Sequence, residues 1–488
     1  MPAYDALMAF QRTTEALSQV SGRTGWDQET MMPAGAAPQR AEEMAALSTV
    51  LHARRTDPRI GAWLETAEAE DAVQAANLRE IGRSFAREMK VPADLAQEIA
   101  RVTSLAQGQW ASARANEDAA AFLPVLAEVV RLRREEGAAL AEGGDPYDAL
   151  MQDYEPGAVA ADMAAMFDAM RPRLVALREA ALAGPEAPAL SGHFPKAAQL
   201  ALAGEIAERF GYDIGHGRLD LAVHPFSSGS GLDVRITTRV DEADPFNCLY
   251  STIHEVGHAC YEQGVDAAHL LTPIGRGASM GVHESQSRSY ENQMGRSEPF
   301  CGWLYRRMRD VFGEIGVGSE RDFYRAVNAV RTGYIRTEAD EVHYNLHVML
   351  RFDLERALMQ GSLEVDDLEA AWNDRYAADF GQAVDRPSNG FLQDVHWSVG
   401  LMGYFPTYSL GNLYAGCLMA AARRDVAGID AALAQGDPSP ATGWMRDRLQ
   451  RFGSLRTPVE TIHAATGAAP EAEPLLSYLE AKFGDLYG

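Results

Sequence analysis

Five residues near the middle of the chain, His254 to His258, spell H-E-V-G-H. Two histidines four positions apart lie on the same face of an α-helix, where both imidazoles can reach one metal ion. Glu255 lies one step round that helix and can face a water molecule on the metal. This spacing is typical of zinc peptidases, so the motif predicts a helix that carries metal ligands and a general base.

The residues around the motif predict where this helix begins and ends. Asp244 and Pro245 are typical of an N-cap and a first-turn proline, and Gly264 closes the run. Apolar residues recur between them at every third or fourth position, which predicts a buried face beside the histidines. A pair of buried histidines without a metal is the alternative. The apolar positions are Phe246, Leu249, Tyr250, Ile253, Gly257 and Cys260.

A catalytic zinc site needs three protein ligands and one open position, so a third ligand must come from another segment. The extended metzincin motif is excluded, because Tyr261 and Gly264 stand where it requires glycine and histidine. A second helical run follows a loop rich in glycine and contains Glu284, the predicted third ligand, with His283 as its main rival. The alternative for Glu284 is a surface ion pair with Arg288, four residues along.

One Zn²⁺ per chain is the expected cofactor, with Co²⁺ or another divalent metal as the alternative. Zinc at this site would lower the pKa of water and polarise a peptide carbonyl, while Glu255 acts as general base and then acid. A structural zinc site is disfavoured, because such sites usually contain cysteine pairs and this chain has no C-x-x-C motif. The scattered cysteines fit reduced, buried thiols. They are Cys248, Cys260, Cys301 and Cys417.

Several further segments resemble motifs of the M32 family, the carboxypeptidase Taq type of metallocarboxypeptidase. Besides HEVGH and HESQ, they are HPF at 224–226, DVRIT at 233–237, IRTEAD at 335–340 and GFLQDVHW at 390–397. Residues 26–44 also resemble the opening of that family, so the similarity spans nearly the whole chain. The resemblance implies a mainly α, gluzincin-type fold with a deep substrate groove, a zinc-type metal, a homodimer, and removal of single residues from peptide C-termini.

Recognition of a free C-terminal carboxylate calls for a guanidinium near the metal, because its planar fork binds a carboxylate through two hydrogen bonds. Arg336 and Arg235 both lie in segments that resemble the family motifs. Arg336 is the preferred candidate, since its flanks predict a half-buried helix in which an unpaired charge is costly. Its alternative is internal pairing with Glu338 or Asp340. Arg235 lies in a predicted strand, where a structural role is equally favoured.

Two further groups of polar residues are candidates for supporting roles. Asp340 or Glu341 is a candidate for the carboxylate that fixes the tautomer of a metal-binding histidine, although each taken singly is expected to be solvated. A phenol or imidazole can donate to the oxyanion of a tetrahedral intermediate. Tyr408 and His396 are the predicted donors and Tyr404 is assigned to substrate, an order favoured by the resemblance to metallopeptidases with helical grooves. Tyrosines four positions apart are also ordinary core aromatics.

The whole chain, 1–488, is predicted to be a single peptidase domain, because no linker of Ser/Gly or Pro divides it. A helical N-terminal lobe is expected over about 1–215, with breaks near Gly143 to Pro146 and at Pro156-Gly157, and the metal- and substrate-binding part over about 216–488. Alternating residues from Arg218 to Asp241 predict a small hairpin, Leu219 to Val223 with Val234 to Ile236, joined by a Ser/Gly turn. Its edge is expected to hold an extended peptide as one wall of the groove.

Charge and hydropathy exclude several classes of protein. The net charge of −25 and the lack of a basic run exclude a nucleic-acid-binding module. No apolar run approaches about 18 residues and no signal-like start is present, which predicts a cytoplasmic protein without a membrane segment. Three classes remain: a metallocarboxypeptidase acting on peptides with a free C-terminal carboxylate, an oligopeptidase, and a metal-free helical scaffold. The intact Glu255 and ligand set argue against the scaffold.

Overall fold

The computed structural model describes residues 2–488, and these form a mainly helical protein with one small sheet, as predicted. The breaks predicted on either side of Pro146–Met151 are present. Among residues 2–488, no helix combines the length and the apolar character needed to cross a membrane. The helices are α1 Ala3–Thr30, α2 Ala37–Arg55, α3 Pro58–Thr66, α4 Ala72–Lys90, α5 Ala93–Asn116, α6 Ala119–Ala141, α7 Pro146–Met151, α8 Ala160–Ala183, α9 Lys196–Arg209, α10 Pro245–Gly264, α11 Met280–Arg288, α12 Glu298–Phe312, α13 Glu320–Val327, α14 Glu341–Gln360, α15 Leu368–Phe380, α16 Pro406–Asp425, α17 Ile429–Leu433, α18 Ser439–Arg448, α19 Pro458–Thr466 and α20 Glu473–Tyr487; the strands are β1 Leu219–Leu221, β2 Ser227–Ser230 and β3 Asp233–Thr238.

The chain folds into two compact units, and each unit is built from three separate stretches of the sequence. The first unit comprises the N-terminal part through Glu88, Ala187–Val327 and Gly411–Glu471, and it contains the sheet, α10 and α11. The second unit comprises Met89–Glu186, Asn328–Leu410 and Ala472–Gly488. Each has its own apolar clusters. In the first, Leu7, Ile60 and Ile81 join α1, α3 and α4, and in the second, Ile99, Val102, Ala106, Val129 and Leu132 join α5 to α6.

The sheet has three strands in the order β1, β3, β2. The middle strand pairs with β1 in parallel, with Leu219 opposite Ile236, and with β2 in antiparallel orientation, with Ser228 opposite Arg235. The predicted hairpin between β1 and β3 is therefore wrong. The segment predicted as its Ser/Gly turn is itself strand β2, because backbone pairing with β3 outweighs the low β-propensity of serine and glycine.

The motif helix α10 has the predicted bounds, and the sheet packs against it. Asp244 is the N-cap of the helix, which begins at Pro245. Its carboxylate accepts a hydrogen bond of 3.0 Å from the backbone N–H of Phe246 in the first turn. Leu249 and Ile253 are fully buried. Thr238 of β3 donates its hydroxyl to the carbonyl of Cys248. The helix that carries both histidines is thus held rigidly by apolar packing and by the sheet.

Gly257, inside the motif, sets how closely α10 and α11 approach each other. A Cβ atom at this position would lie only 2.5 Å from Cα of Ser287 on α11, a distance that packed atoms do not tolerate. The contact is backbone against backbone, so a side-chain rotation cannot relieve it. The glycine of HEVGH therefore lets α11 lie against the histidine helix.

We expect Gly257→Ala to lower the free energy of unfolding by about 1–3 kcal/mol, because the new methyl group forces α11 away from α10. The matched control is Gly204→Ala in the interior of α9, where the new Cβ would meet no other part of the protein within 4 Å. That change should raise stability by about 0.5–1 kcal/mol, since alanine is the better helix former. Denaturant unfolding measures both variants, and equal effects would contradict this account of Gly257.

Candidate metal centre

The three predicted metal ligands converge in the first unit. His254 and His258 lie one turn apart on α10, with ring centroids 4.9 Å apart, and Glu284 extends from α11 towards both rings. The Nε2 atoms of His254 and His258 lie 3.8 Å and 3.4 Å from Oε2 of Glu284. One donor atom from each of the three residues lies within 4.8 Å of the other two. The structure thus brings the three residues together, as the sequence predicts.

The three donors fit a zinc-type divalent cation. Ligand atoms at about 2.1 Å from a tetrahedral metal are about 3.4 Å apart, close to the two histidine-to-glutamate distances. Two imidazoles and one carboxylate are also the ligand set of catalytic zinc sites that keep a fourth position for water. The donor set therefore matches a catalytic centre rather than a closed structural one.

Glu284 divides its two oxygens between an arginine and the histidines. Its Oε1 atom accepts a hydrogen bond of 2.7 Å from Nε of Arg288, and its Oε2 atom faces the imidazoles. The i, i+4 ion pair considered as an alternative thus exists, but it is buried and leaves Oε2 towards the metal position. Burial opposes ionisation, yet Arg288 and His254 hold the pKa of Glu284 well below its usual range. The carboxylate is therefore ready to bind a cation.

Each ligand histidine is oriented by a hydrogen bond at its other ring nitrogen. The Nδ1 atom of His254 lies 2.9 Å from Oε2 of Glu291, which is carried by a π-helix over Ser289–Gly295. The Nδ1 atom of His258 lies 2.6 Å from Nδ1 of His283. His283, the rival ligand, thus contacts His258 and lies outside the group of three residues whose donor atoms could hold a metal ion.

Asp340 and Glu341, which are expected to be solvated and are only candidates for orienting a metal-binding histidine, have other partners in the structure. Asp340 caps α14 and binds Nδ1 of His343 at 2.8 Å, and Glu341 accepts a hydrogen bond from Lys482. Helical spacing could have identified the true partner Glu291, which lies two turns after Glu284 on the same run. The π-helix that aims its carboxylate at His254 has no signal in the sequence.

Glu255 is nearly fully buried, with 6 % of its surface exposed. Burial raises its pKa to about 7, although the adjacent His254 works in the opposite direction. The two histidines differ: burial lowers the pKa of His258 to about 4, whereas Glu284 and Glu291 outweigh burial and raise the pKa of His254. A carboxyl group that titrates near neutral pH suits general base and general acid catalysis.

Arg235, the second candidate for carboxylate recognition, lies on β3 in the first unit. Its guanidinium binds Asp233 through hydrogen bonds of 2.7 Å and 3.0 Å and stacks over the ring of Trp26, with the guanidinium carbon 4.5 Å from the ring centroid. Asp233 also lies 3.5 Å from Arg23. These contacts balance its charge locally, and its role in substrate binding stays a prediction.

Arg336, the preferred candidate, lies in the second unit and is 4 % exposed. Its Nη2 and Nε atoms donate to Oδ1 of Asp394 at 2.9 Å and 3.2 Å, so its ion-pair partner is Asp394 rather than Glu338 or Asp340. The helix predicted around it is also wrong in extent. Arg336 opens a short 3₁₀ turn, and α14 begins only at Glu341, because the carboxylate of Asp340 caps that later start.

The remaining candidates surround Arg336 in the same unit. Tyr408 lies under the Arg336 guanidinium, whose central carbon is 4.8 Å from the tyrosine ring centroid, and its hydroxyl lies 3.3 Å from Nε2 of His396. The rings of Tyr404 and Tyr408 are 5.3 Å apart. Burial lowers the pKa of His396 to about 4, so its imidazole is neutral near pH 7. One cationic and aromatic cluster thus contains four of the predicted residues.

Comparison with known proteins gives consistent results along the whole chain. Residues 6–483 match the family model described as carboxypeptidase Taq (M32) metallopeptidase. Thermostable carboxypeptidase 1 of Thermus thermophilus is 42 % identical over 506 aligned residues, covering 100 % of this chain and 99 % of the relative. Carboxypeptidase 1 of Bacillus subtilis is 32 % identical, with coverage of 99 % and 98 %.

Solved structures give the same result for the fold. The crystal structure of an M32 carboxypeptidase from Deinococcus radiodurans has a TM-score of 0.96 at 39 % identity and covers 100 % of both chains. Metallocarboxypeptidase 1 of Trypanosoma cruzi has a TM-score of 0.96 at 34 % identity, covering 99 % of both chains. The similarity therefore extends beyond the motifs to the path of the entire backbone.

Proposed function

The chain belongs to the carboxypeptidase Taq (M32) family of metallopeptidases, and we propose that one Zn²⁺ per chain, held by His254, His258 and Glu284, serves its catalysis. As a member of this family it is a metallocarboxypeptidase that releases C-terminal residues from peptides. The observation that supports the ligand set is the approach of Glu284 Oε2 to within 3.8 Å of both histidine Nε2 atoms. Co²⁺ or another divalent metal is compatible with the same donors.

We propose that Glu255 is the general base and then the general acid. Zinc bound at this centre would lower the pKa of water and polarise the scissile carbonyl. Glu255 takes the proton of the attacking water and returns it to the leaving amine. Its place on α10 between the two predicted histidine ligands supports this role, and burial, which raises its pKa, makes it a better proton acceptor than an exposed carboxylate.

Arg336 is the proposed anchor of the substrate carboxylate, with Arg235 as the second candidate. Arg336 and Arg351 share one carboxylate, because Nε of Arg351 donates to Oδ2 of Asp394 at 2.7 Å while Arg336 binds Oδ1. Asp394 alone contacts two buried guanidiniums, which favours the binding of a further carboxylate beside them. Arg235 has its own partner in Asp233, which makes it the weaker candidate.

Tyr408 and His396 are the proposed donors to the oxyanion, and Tyr404 is assigned to substrate binding. Burial keeps the imidazole of His396 neutral near pH 7, and the Tyr408 hydroxyl lies 3.3 Å from its Nε2 atom, so the pair offers N–H or O–H groups to a developing oxyanion. A donor of this kind stabilises the charge that develops on the carbonyl oxygen in the transition state.

Three broader features are also proposals. We propose a single peptidase domain, which the family match over residues 6–483 supports, and the lobe boundary near residue 215 stays a prediction. A homodimer is proposed on the family resemblance alone. The cytoplasm is proposed because the four cysteines are buried and free, which fits a reducing compartment.

We expect Glu255→Gln to keep its metal and to lose turnover, because the amide preserves the shape of the side chain but cannot take a proton. His258→Ala should lose both, since it removes a ligand. Metal content after dialysis and kcat on a peptide with a free C-terminus measure the two effects separately. A Glu255→Gln enzyme with most of the original kcat would contradict the proposed mechanism.

Carboxylate recognition can be tested with an N-terminally blocked peptide and its C-terminally amidated twin, followed by mass spectrometry. The free peptide should lose single residues from its C-terminus, while the amide should remain intact.

Arg336→Gln should lower kcat/KM on the free peptide at least about 30-fold, the equivalent of about 2 kcal/mol, because a buried charge pair with substrate is lost. Arg235→Gln is the matched control, for which we expect a smaller decrease in kcat/KM. Internal cuts in both peptides would contradict recognition of a free C-terminal carboxylate.

A further inference from the structure

Two further side chains, His283 and Glu262, form a hydrogen-bonded chain that leads outward from the proposed ligand His258. Its Nδ1 atom lies 2.6 Å from Nδ1 of His283, and Nε2 of His283 lies 3.0 Å from Oε1 of Glu262. Both ring nitrogens of His283 are therefore engaged, and Oε1 of Glu262 also accepts the backbone N–H of Gly277 at 2.9 Å. The chain connects a metal ligand to a buried carboxylate through one intervening imidazole.

The proton positions in this chain follow from what each group can donate. Oε1 of Glu262 already accepts the backbone N–H of Gly277, so Nε2 of His283 is the donor in its 3.0 Å contact with the same oxygen. Nδ1 of His283 is then the acceptor, and the N–H at Nδ1 of His258 must be the donor across the 2.6 Å contact. His258 is thereby left with an unprotonated Nε2 atom, which is the nitrogen that faces Oε2 of Glu284.

The groups around His283 hold its imidazole against His258 and leave little room for another side-chain conformation. Glu262 follows His258 by one helical turn, so both side chains leave the same face of α10. At Gly277, a Cβ atom would lie 2.8 Å from Cδ2 of His283, so only glycine leaves room for the imidazole. The ring of Tyr261 packs against the imidazole of His283, with ring centroids 5.3 Å apart.

We infer that His283, held by Glu262, is a positioning residue that fixes the tautomer and ring orientation of His258 for metal binding. The inference rests on the proposed ligand set and goes beyond it. His254 has the carboxylate of Glu291 directly at its Nδ1 atom, whereas the imidazole of His283 lies between His258 and the carboxylate of Glu262. Because His283 precedes Glu284 in sequence, α11 supplies one ligand and the support of another.

The test is metal affinity, measured by titrating Zn²⁺ or Co²⁺ into the metal-stripped full-length protein in competition with a chromophoric chelator. His283→Leu should weaken binding about 10–100-fold, the usual effect of removing a group that orients a ligand, and should shift the visible absorption of the Co²⁺ form. His283→Asn keeps an acceptor near the position of Nδ1 and should remain within a few-fold of the original affinity. The matched control is His216→Leu, which removes an exposed histidine that binds Asp213 at 2.7 Å.

The outcomes separate this inference from the proposed ligand set. Equal affinity of His283→Leu and His216→Leu, together with loss of binding in His258→Ala, would overturn the role of His283 alone. Undiminished binding in His258→Ala would overturn the ligand set itself. Where His283→Leu fails to fold, as judged by circular dichroism, Glu262→Leu serves in its place; it should weaken affinity in the same direction, and unchanged affinity would overturn the inference.

Discussion

The close contact between α10 and α11 is the constraint on which the metal centre depends. Gly257 lets the two backbones meet, and Gly411 on α16 leaves room for the Glu284 side chain, since a Cβ at Gly411 would lie 2.4 Å from Cγ of Glu284. Burying this carboxylate without a partner would cost several kcal/mol. Arg288 and the two histidines offset that cost, so the same groups that stabilise the fold also direct Oε2 towards the metal position.

Buried charges organise the second unit by the same physical rule. Arg336 and Arg351 lie on either side of Asp394, and a second buried carboxylate, Glu355, anchors the segment that carries His396 and Tyr404. Its three hydrogen-bond donors are the Tyr147 hydroxyl, the Trp397 indole N–H and the Gly403 backbone N–H. Burial raises the pKa of Glu355 to about 7 even though the three hydrogen bonds lower it, so they offset only part of the electrostatic cost of fixing this segment. A segment held in this way can keep its aromatic side chains in a defined arrangement.

The elements predicted well from sequence are those set by local signals. The cap at Asp244, the glycine at the end of α10 and the helical period of its apolar residues are all local, and so is the four-residue spacing of the two histidines. Strand β2 has weak local propensity and exists because β3 pairs with it. Glu291 lies at helical spacing from Glu284, but its approach to His254, like that of His283 to His258, depends on how two helices pack. Neither the π-helix nor the close fit of His283 against Gly277 has a sequence signature. The expectation that residues are removed from the C-terminus of peptides comes from the resemblance to the family, because the spacing of apolar residues carries no information about it.

We propose that His254, His258 and Glu284 together bind the metal and that His283 orients His258 from outside the coordination sphere. An anomalous difference map collected at the zinc absorption edge from crystals of the zinc-loaded protein tests this arrangement. We expect one strong peak at about 2.0–2.2 Å from Nε2 of each of the two α10 histidines and from one Glu284 oxygen. A peak coordinated by a His283 nitrogen, or a Glu284 carboxylate that stays with Arg288 and leaves the metal to other ligands, would contradict it.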